Sequence, residues 1–144
     1  MRINGIWAPC DDGLIRPLVV GRVETAKGEW VKVEFLIDTG ADRTVFSNAI
    51  LEQLGLTQLL PTEEIGGLGG IIGSVTVETR VHLRRETGDE VAFRGQFAAV
   101  TNATALDFSV LGRDILDLFA VIIDRPGDTV SLISQRHRYT VIQD

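Results

Sequence analysis

The chain has 144 residues, 44% of them hydrophobic and 24% charged, with a formal net charge of −6. That length carries one core and is short for two, and the negative balance disfavours a nucleic-acid partner, whose phosphates need a basic face. The single cysteine, Cys10, excludes an internal disulfide framework; His82 and His137 lack zinc-site spacing, and no stretch approaches the roughly 20 apolar residues of a membrane span.

Met1 to Trp7 lacks the apolar run of a secretory signal, so the expectation is a cytoplasmic protein without a membrane segment. Residues 18–24 and 30–37 are rich in β-branched and aromatic side chains and read as strands, with the Ala26-Lys27-Gly28-Glu29 turn between them. Ser47 is a good N-cap for a helix over 48–54, which Gly55 stops. From 75 to 83 the pattern alternates. Val75, Val77, Thr79, Val81 and Leu83 face one way, and Thr76, Glu78, Arg80 and His82 the other, so His82 reads as an exposed strand residue rather than a ligand or base. After the Thr87-Gly88-Asp89 turn, 91–100 returns as the second strand of a hairpin. Ile115, Leu116 and Phe119 fall at helical spacing, which predicts a short helix over 113–119. The Pro126-Gly127-Asp128 turn then joins strands at 120–124 and 129–134. No repeat or low-complexity linker divides the chain, so residues 1–144 are expected to form a single domain. Many short strands with turns every ten or so residues predict an all-β barrel or sandwich with one or two short helices.

Three segments carry chemistry. In Phe35-Leu36-Ile37-Asp38-Thr39-Gly40-Ala41-Asp42 an apolar strand runs into an acid, a hydroxyl residue and a glycine. An acid at the end of a buried strand ionises at a cost unless it is hydrogen-bonded or paired. Gly40 lets the chain turn sharply and bring its N–H to that carboxylate. Ile65-Gly66-Gly67-Leu68-Gly69-Gly70-Ile71-Ile72 matches neither of the common phosphate-binding glycine patterns. Its glycines suit a mobile hairpin whose backbone closes over a ligand. In Val110-Leu111-Gly112-Arg113-Asp114-Ile115-Leu116, two apolar residues and a glycine precede a helix. Asp107, Asp114 and Asp124 lack the context of Asp38 and read as surface or capping residues.

Taken in order, Asp-Thr-Gly-Ala-Asp, the glycine-rich loop and Val-Leu-Gly-Arg-Asp resemble the retropepsins, the retroviral-type aspartic proteases, and the likeness spans about residues 16–133. Residues 47–56 and 111–124 look more like the cellular and bacterial members. The resemblance implies a retropepsin-like closed β-barrel of the acid-protease fold, active as a symmetric homodimer on a peptide or protein substrate, with no cofactor and no metal. It implies that Asp38 is the catalytic aspartate, that Thr39 braces the pair by bonding across to the other subunit, and that Gly40 lies beside the carboxylate. Residues 65–72 are similar to the flap. On this reading the substrate cleft is bounded by Ala41, Asp42, Ile65, Gly66, Gly67, Leu68, Gly69, Gly70 and Arg113, with Asp42 and Arg113 matching an ion pair that supports the cleft. Arg16 matches the arginine that reaches Asp42 of the partner subunit. Arg43 departs from the pattern, standing where some retroviral enzymes carry a second acid, and so does the tail at 135–144.

Peptide hydrolysis by this chemistry needs one group to activate water and another to protonate the leaving amine. One Asp-Thr-Gly per chain supplies half of such a pair, so the second carboxylate is expected from another chain. The function expected is therefore an aspartic endopeptidase. The alternative is a catalytically silent, dimeric peptide-binding or regulatory module of the same fold.

Overall fold

The computed structural model describes residues 1–55, 63–67, 70–134 and 142. Among them 56% lie in strands. In chain order the elements are β1 (Arg2–Asn4), β2 (Ile6–Pro9), β3 (Ile15–Glu24), β4 (Trp30–Ile37), β5 (Val45–Phe46), α1 (Asn48–Gln53), β6 (Glu63–Gly67), β7 (Gly70–Arg84), β8 (Glu90–Val100), β9 (Ser109–Leu111), α2 (Arg113–Leu116), β10 (Ala120–Asp124) and β11 (Thr129–Ile133).

The larger sheet runs β2-β3-β4-β9-β5-β8-β7-β6, and a further pairing of β3 with β7 closes it. The ring is therefore β3-β4-β9-β5-β8-β7, an all-β closed barrel, with β2 and β6 hanging outside it. Closure depends on Gly21. A Cβ there would sit 2.8 Å from the His82 carbonyl oxygen, so a larger residue would push β7 off β3. Two parallel pairings, β4 with β9 and β5 with β8, bring together segments far apart in sequence. A second sheet, β1-β11-β10, joins the two ends of the described chain.

The core follows from strand alternation. Val19, Val23, Val33, Phe35, Val75, Val77, Val81 and Leu83 point inward and are buried. Phe46 packs between Phe35 and Phe97, with ring centroids 6.1 and 5.7 Å away. Ile50, Leu51 and Leu54 of α1 and its cap, with Ile115 and Leu116 of α2, cover the barrel ends.

Several boundaries differ from those read in the sequence, each through a tertiary pairing. β3 begins at Ile15 because Ile15–Leu18 pairs with the unforeseen β2. β7 begins at Gly70 because its first residues pair with β6. α2 stops at Leu116, three residues short of expectation, since Ala120 already sits in register with Ile133. Phe119 then packs edge-on against Phe93, 5.9 Å between centroids. α1 keeps its predicted start, with the Ser47 side chain accepting from the Ile50 N–H, and Gly55 follows at φ 82°. His82 is half-buried rather than exposed, its side chain 19% accessible. The tail at 135–141 and 143–144, with His137, lies outside the described residues.

Candidate active site

The apolar run of β4 ends at Ile37, which pairs in parallel with Leu111 of β9. The next N–H, that of Asp38, donates to the Leu111 carbonyl at 3.2 Å, so the acid is delivered to the end of the barrel beside β9. There the chain turns. The Ala41 N–H donates to the Asp38 carbonyl (3.2 Å) and the Gly40 N–H to the carboxylate Oδ1 (2.9 Å). A Cβ on residue 40 would lie 3.2 Å from that oxygen, tight enough to disturb the contact. Asp38 is half-buried, Thr39 and Gly40 exposed. The loop thus presents a carboxylate and a hydroxyl outward from a rigid base, and among the described residues no cation pairs with Asp38.

That base is a lattice between the loop and the start of α2. The Arg113 N–H donates to the Ala41 carbonyl (2.8 Å) and the Asp114 N–H to the Asp42 carbonyl (3.1 Å). The Asp114 carboxylate accepts from the Thr44 N–H (2.9 Å) and hydroxyl (2.7 Å) and from the Ile115 N–H (2.9 Å). The Thr44 hydroxyl in turn accepts from the Gly112 N–H at 3.1 Å. Gly112 is required here, since a Cβ would come within 2.3 Å of the Arg43 carbonyl. Asp114 is thus a clamp on the loop as well as a cap on α2, a role its sequence context did not disclose.

Arg113 forms an ion pair with Asp42. The hydrogen bond to Asp42, and then the charges of Asp42 and Asp117, push the guanidinium above its ordinary range. Both partners are well exposed, so the contact orients the side chains more than it stabilises the fold. Arg16 makes a bidentate pair with Asp12 of its own chain, at 2.9 and 2.6 Å. Its guanidinium, followed by the Leu14 N–H, holds the Asp12 carboxyl down at about 2. Within the single chain, Arg16 is therefore paired with Asp12.

The β6–β7 hairpin is paired from Glu63↔Ser74 to Gly67↔Gly70. Gly70 takes a left-handed φ of 108°, a conformation that favours glycine. Leu68 and Gly69, at the tip, lie outside the described residues. The cross-strand pair Ile65 and Ile72 packs onto a second apolar cluster formed by Val45, Ala98, Val100 and Val110, with Ala41, Ala105 and Leu106 beside it. Of the predicted cleft residues, Ala41 and Ile65 meet in this cluster, and Asp42 and Arg113 meet at its loop edge. Gly66 and Gly70 lie in the hairpin's strands, and Ile71 is 71% exposed. Val45, Ala98, Val100, Ala105, Leu106 and Val110 were not foreseen. They carry no ionisable group, and only their convergence beside Asp38 sets them apart from ordinary core.

Among the described residues no group of three or more His, Cys, Asp or Glu side chains is arranged to hold a metal, and no helix is long and apolar enough to cross a membrane.

The chain is similar to known proteins on three counts. The family described as "gag-polyprotein putative aspartyl protease" matches residues 25–117. A retropepsin-like aspartic protease from Rickettsia conorii superposes with a TM-score of 0.55 and 25% identity, over 92% of this chain and 97% of that one. EIAV protease in complex with the inhibitor HBY-793 aligns with a TM-score of 0.47 and 24% identity, over 71% of this chain and 86% of that one. No curated protein sequence matches the chain significantly. The family match covers well over half the chain, from the turn before β4 through α2, and includes the Asp38 loop, the hairpin and the lattice that joins the loop to α2. The chain accordingly belongs to the gag-polyprotein aspartyl protease family, the retropepsin-like aspartic proteases.

Proposed function

We propose that the chain is an aspartic endopeptidase whose catalytic pair is formed by Asp38 from each of two identical chains. The observation that carries this reading is the Asp38 loop itself: a half-buried carboxylate, held through Oδ1 by the Gly40 N–H, at the end of a strand and beside an apolar floor. Two such carboxylates about 3 Å apart cannot both ionise cheaply, so the pair holds one proton between them. The ionised member takes a proton from water as its oxygen attacks the peptide carbonyl carbon. The protonated member donates to the carbonyl oxygen, and a proton then passes to the leaving nitrogen as the C–N bond breaks. The pair acts as a unit, so neither role belongs permanently to one chain.

Thr39, exposed beside Asp38, braces the two loops against each other across the two-fold axis. Residues 65–72 act as the flap and supply backbone contacts to an extended peptide, with Gly66, Gly67 and Gly70 keeping the approach open. Ala41, Ile65 and their neighbours form an apolar floor that favours hydrophobic side chains next to the scissile bond. Asp42 and Arg113 border the floor with charge. No step calls on a metal or an organic cofactor.

The test is peptide cleavage by the purified chain, with and without a transition-state-mimicking aspartic protease inhibitor, beside Asp38→Asn. That substitution keeps the volume and removes the ionisable group. It should cost at least about 3 kcal/mol of transition-state stabilisation, around two orders of magnitude in rate. Cleavage at the wild-type rate by Asp38→Asn, or insensitivity to the inhibitor, would sink the assignment.

A further inference from the structure

On the outer wall of the barrel, away from Asp38, three adjacent strands place basic side chains in one cross-strand row. Arg22 of β3 stands directly opposite Lys32 of β4 on one side and His82 of β7 on the other. Arg84, two residues beyond His82, points from the same face. Like charges directly opposite one another on a sheet destabilise it. Glu90, opposite Arg84, is the one carboxylate lining the cavity at this surface, and Arg22 and His82 already share it. On the same face Glu34 stands opposite Val20 and Glu24 opposite Trp30. Among the described residues Lys32 and Arg84 form no ion pair. His82 Nε2 is buried and without a hydrogen-bond partner.

These groups border a cavity of about 700 Å³, with Ile6 and Val20 as its apolar wall. Ile6 is 51% and Val20 37% exposed, on a chain whose net charge is −6. Trp30 packs on two of the lining residues, its ring 4.3 Å from the His82 ring and 4.9 Å from the Arg22 guanidinium. Within the cavity lining Arg22, Lys32 and Arg84 outnumber Glu90, and that excess beside exposed aliphatic surface matches a ligand that is both anionic and apolar. The volume is large for a simple anion.

We propose that this cleft is an exosite that binds an acidic polypeptide segment bearing apolar side chains, with its carboxylates toward Lys32 and Arg84 and its apolar groups on Ile6 and Val20. Such a segment belongs to the substrate, a role that rests on the endopeptidase reading. Lys32 precedes Asp38 by six residues of nearly continuous strand, about 20 Å at the usual rise. The segment therefore lies at least about six residues from the scissile bond.

The cleft can be tested without cleavage. The full chain carrying Trp7→Phe and Asp38→Asn keeps Trp30 as its sole indole. Titration with a synthetic peptide of glutamates interspersed with leucines should give a saturable change in Trp30 emission. Lys32→Glu with Arg84→Glu, both on exposed side chains, should weaken binding at least about tenfold, and Lys32→Ala with Arg84→Ala by less. No saturable change, or equal binding by the charge-reversed protein, would overturn the proposal. So would equally effective competition by inorganic phosphate or by a leucine-free glutamate peptide, which would mark a general anion site. Loss of self-association on charge reversal, without peptide binding, would assign the surface to a second copy instead. In the active chain, charge reversal should raise KM for a substrate carrying the acidic segment and leave cleavage of a short peptide unchanged. A chain that cuts nothing would overturn the endopeptidase reading, while the fluorescence titration still decides the cleft.

Discussion

The loop that carries Asp38 depends on two glycines. Gly40 brings an N–H to the carboxylate, and Gly112 lets the start of α2 press against the backbone at Arg43. The clamp between them is Asp114. Its removal leaves the buried Thr44 N–H and hydroxyl without their acceptor, and hydrogen bonds to an ionised group are the strong kind. Asp114→Ala should therefore lower unfolding stability by about 2 kcal/mol, read from the urea midpoint. Asp114→Asn should lose less, because its amide oxygen still accepts. A midpoint unchanged by Asp114→Ala would show that the lattice does not hold the loop. At Asp12 the folded carboxyl titrates at about 2, below its ordinary 3.8, because the Arg16 guanidinium and the Leu14 N–H favour the charged form. The pair's contribution is thus fully present above pH 3.8 and is lost as the pH falls through about 2. A carboxyl titration followed by NMR should find Asp12 ionised at about pH 3, and Arg16→Ala should return it toward the ordinary value.

At the scale of elements, alternation in β7 and β8 was legible because one face of each strand is core and the other is not. The strands built on tertiary pairing were not. β5 and β9 are short, and each exists through a partner far away in sequence, as when Val45 of β5 meets Val110 of β9, while the four residues of β2 are a strand only because β3 lies beside them. β6 hangs outside the barrel ring on the first residues of β7, with few side chains to pack at the glycines of this hairpin. On the flap reading, ligand backbone contacts hold it closed. Amide exchange at Ile65, Gly66, Ile71 and Ile72 should then slow when a peptide-like inhibitor binds. Equal exchange with and without inhibitor would remove the flap role.

For the molecule as a whole, the governing number is one Asp-Thr-Gly per chain. A symmetric pair uses the same patch twice and brings two Asp38 carboxylates to the axis. Specific activity should fall on dilution below the dimer dissociation constant. An excess of Asp38→Asn chains should suppress wild-type activity, since mixed dimers hold a single ionisable partner. Constant specific activity at concentrations where sedimentation finds only monomers would refute the homodimer and require a second acid within the chain.

The all-β class, the helix capped by Ser47 and the placing of Asp38 at a strand end were readable from residues alone, because each depends on neighbours a few positions away, and the family was readable from the order of three local motifs along the chain. Alternation, capping and the Asp-Thr-Gly turn are local physics. The closing of the barrel at Gly21, the clamp of Asp114 on Thr44, the apolar floor that draws Val45, Ala98, Val100 and Val110 together, and the basic row across β4, β3 and β7 were decided by tertiary structure. Each of them joins residues whose separation in sequence says nothing of their separation in space, and each depends on which strand lies beside which.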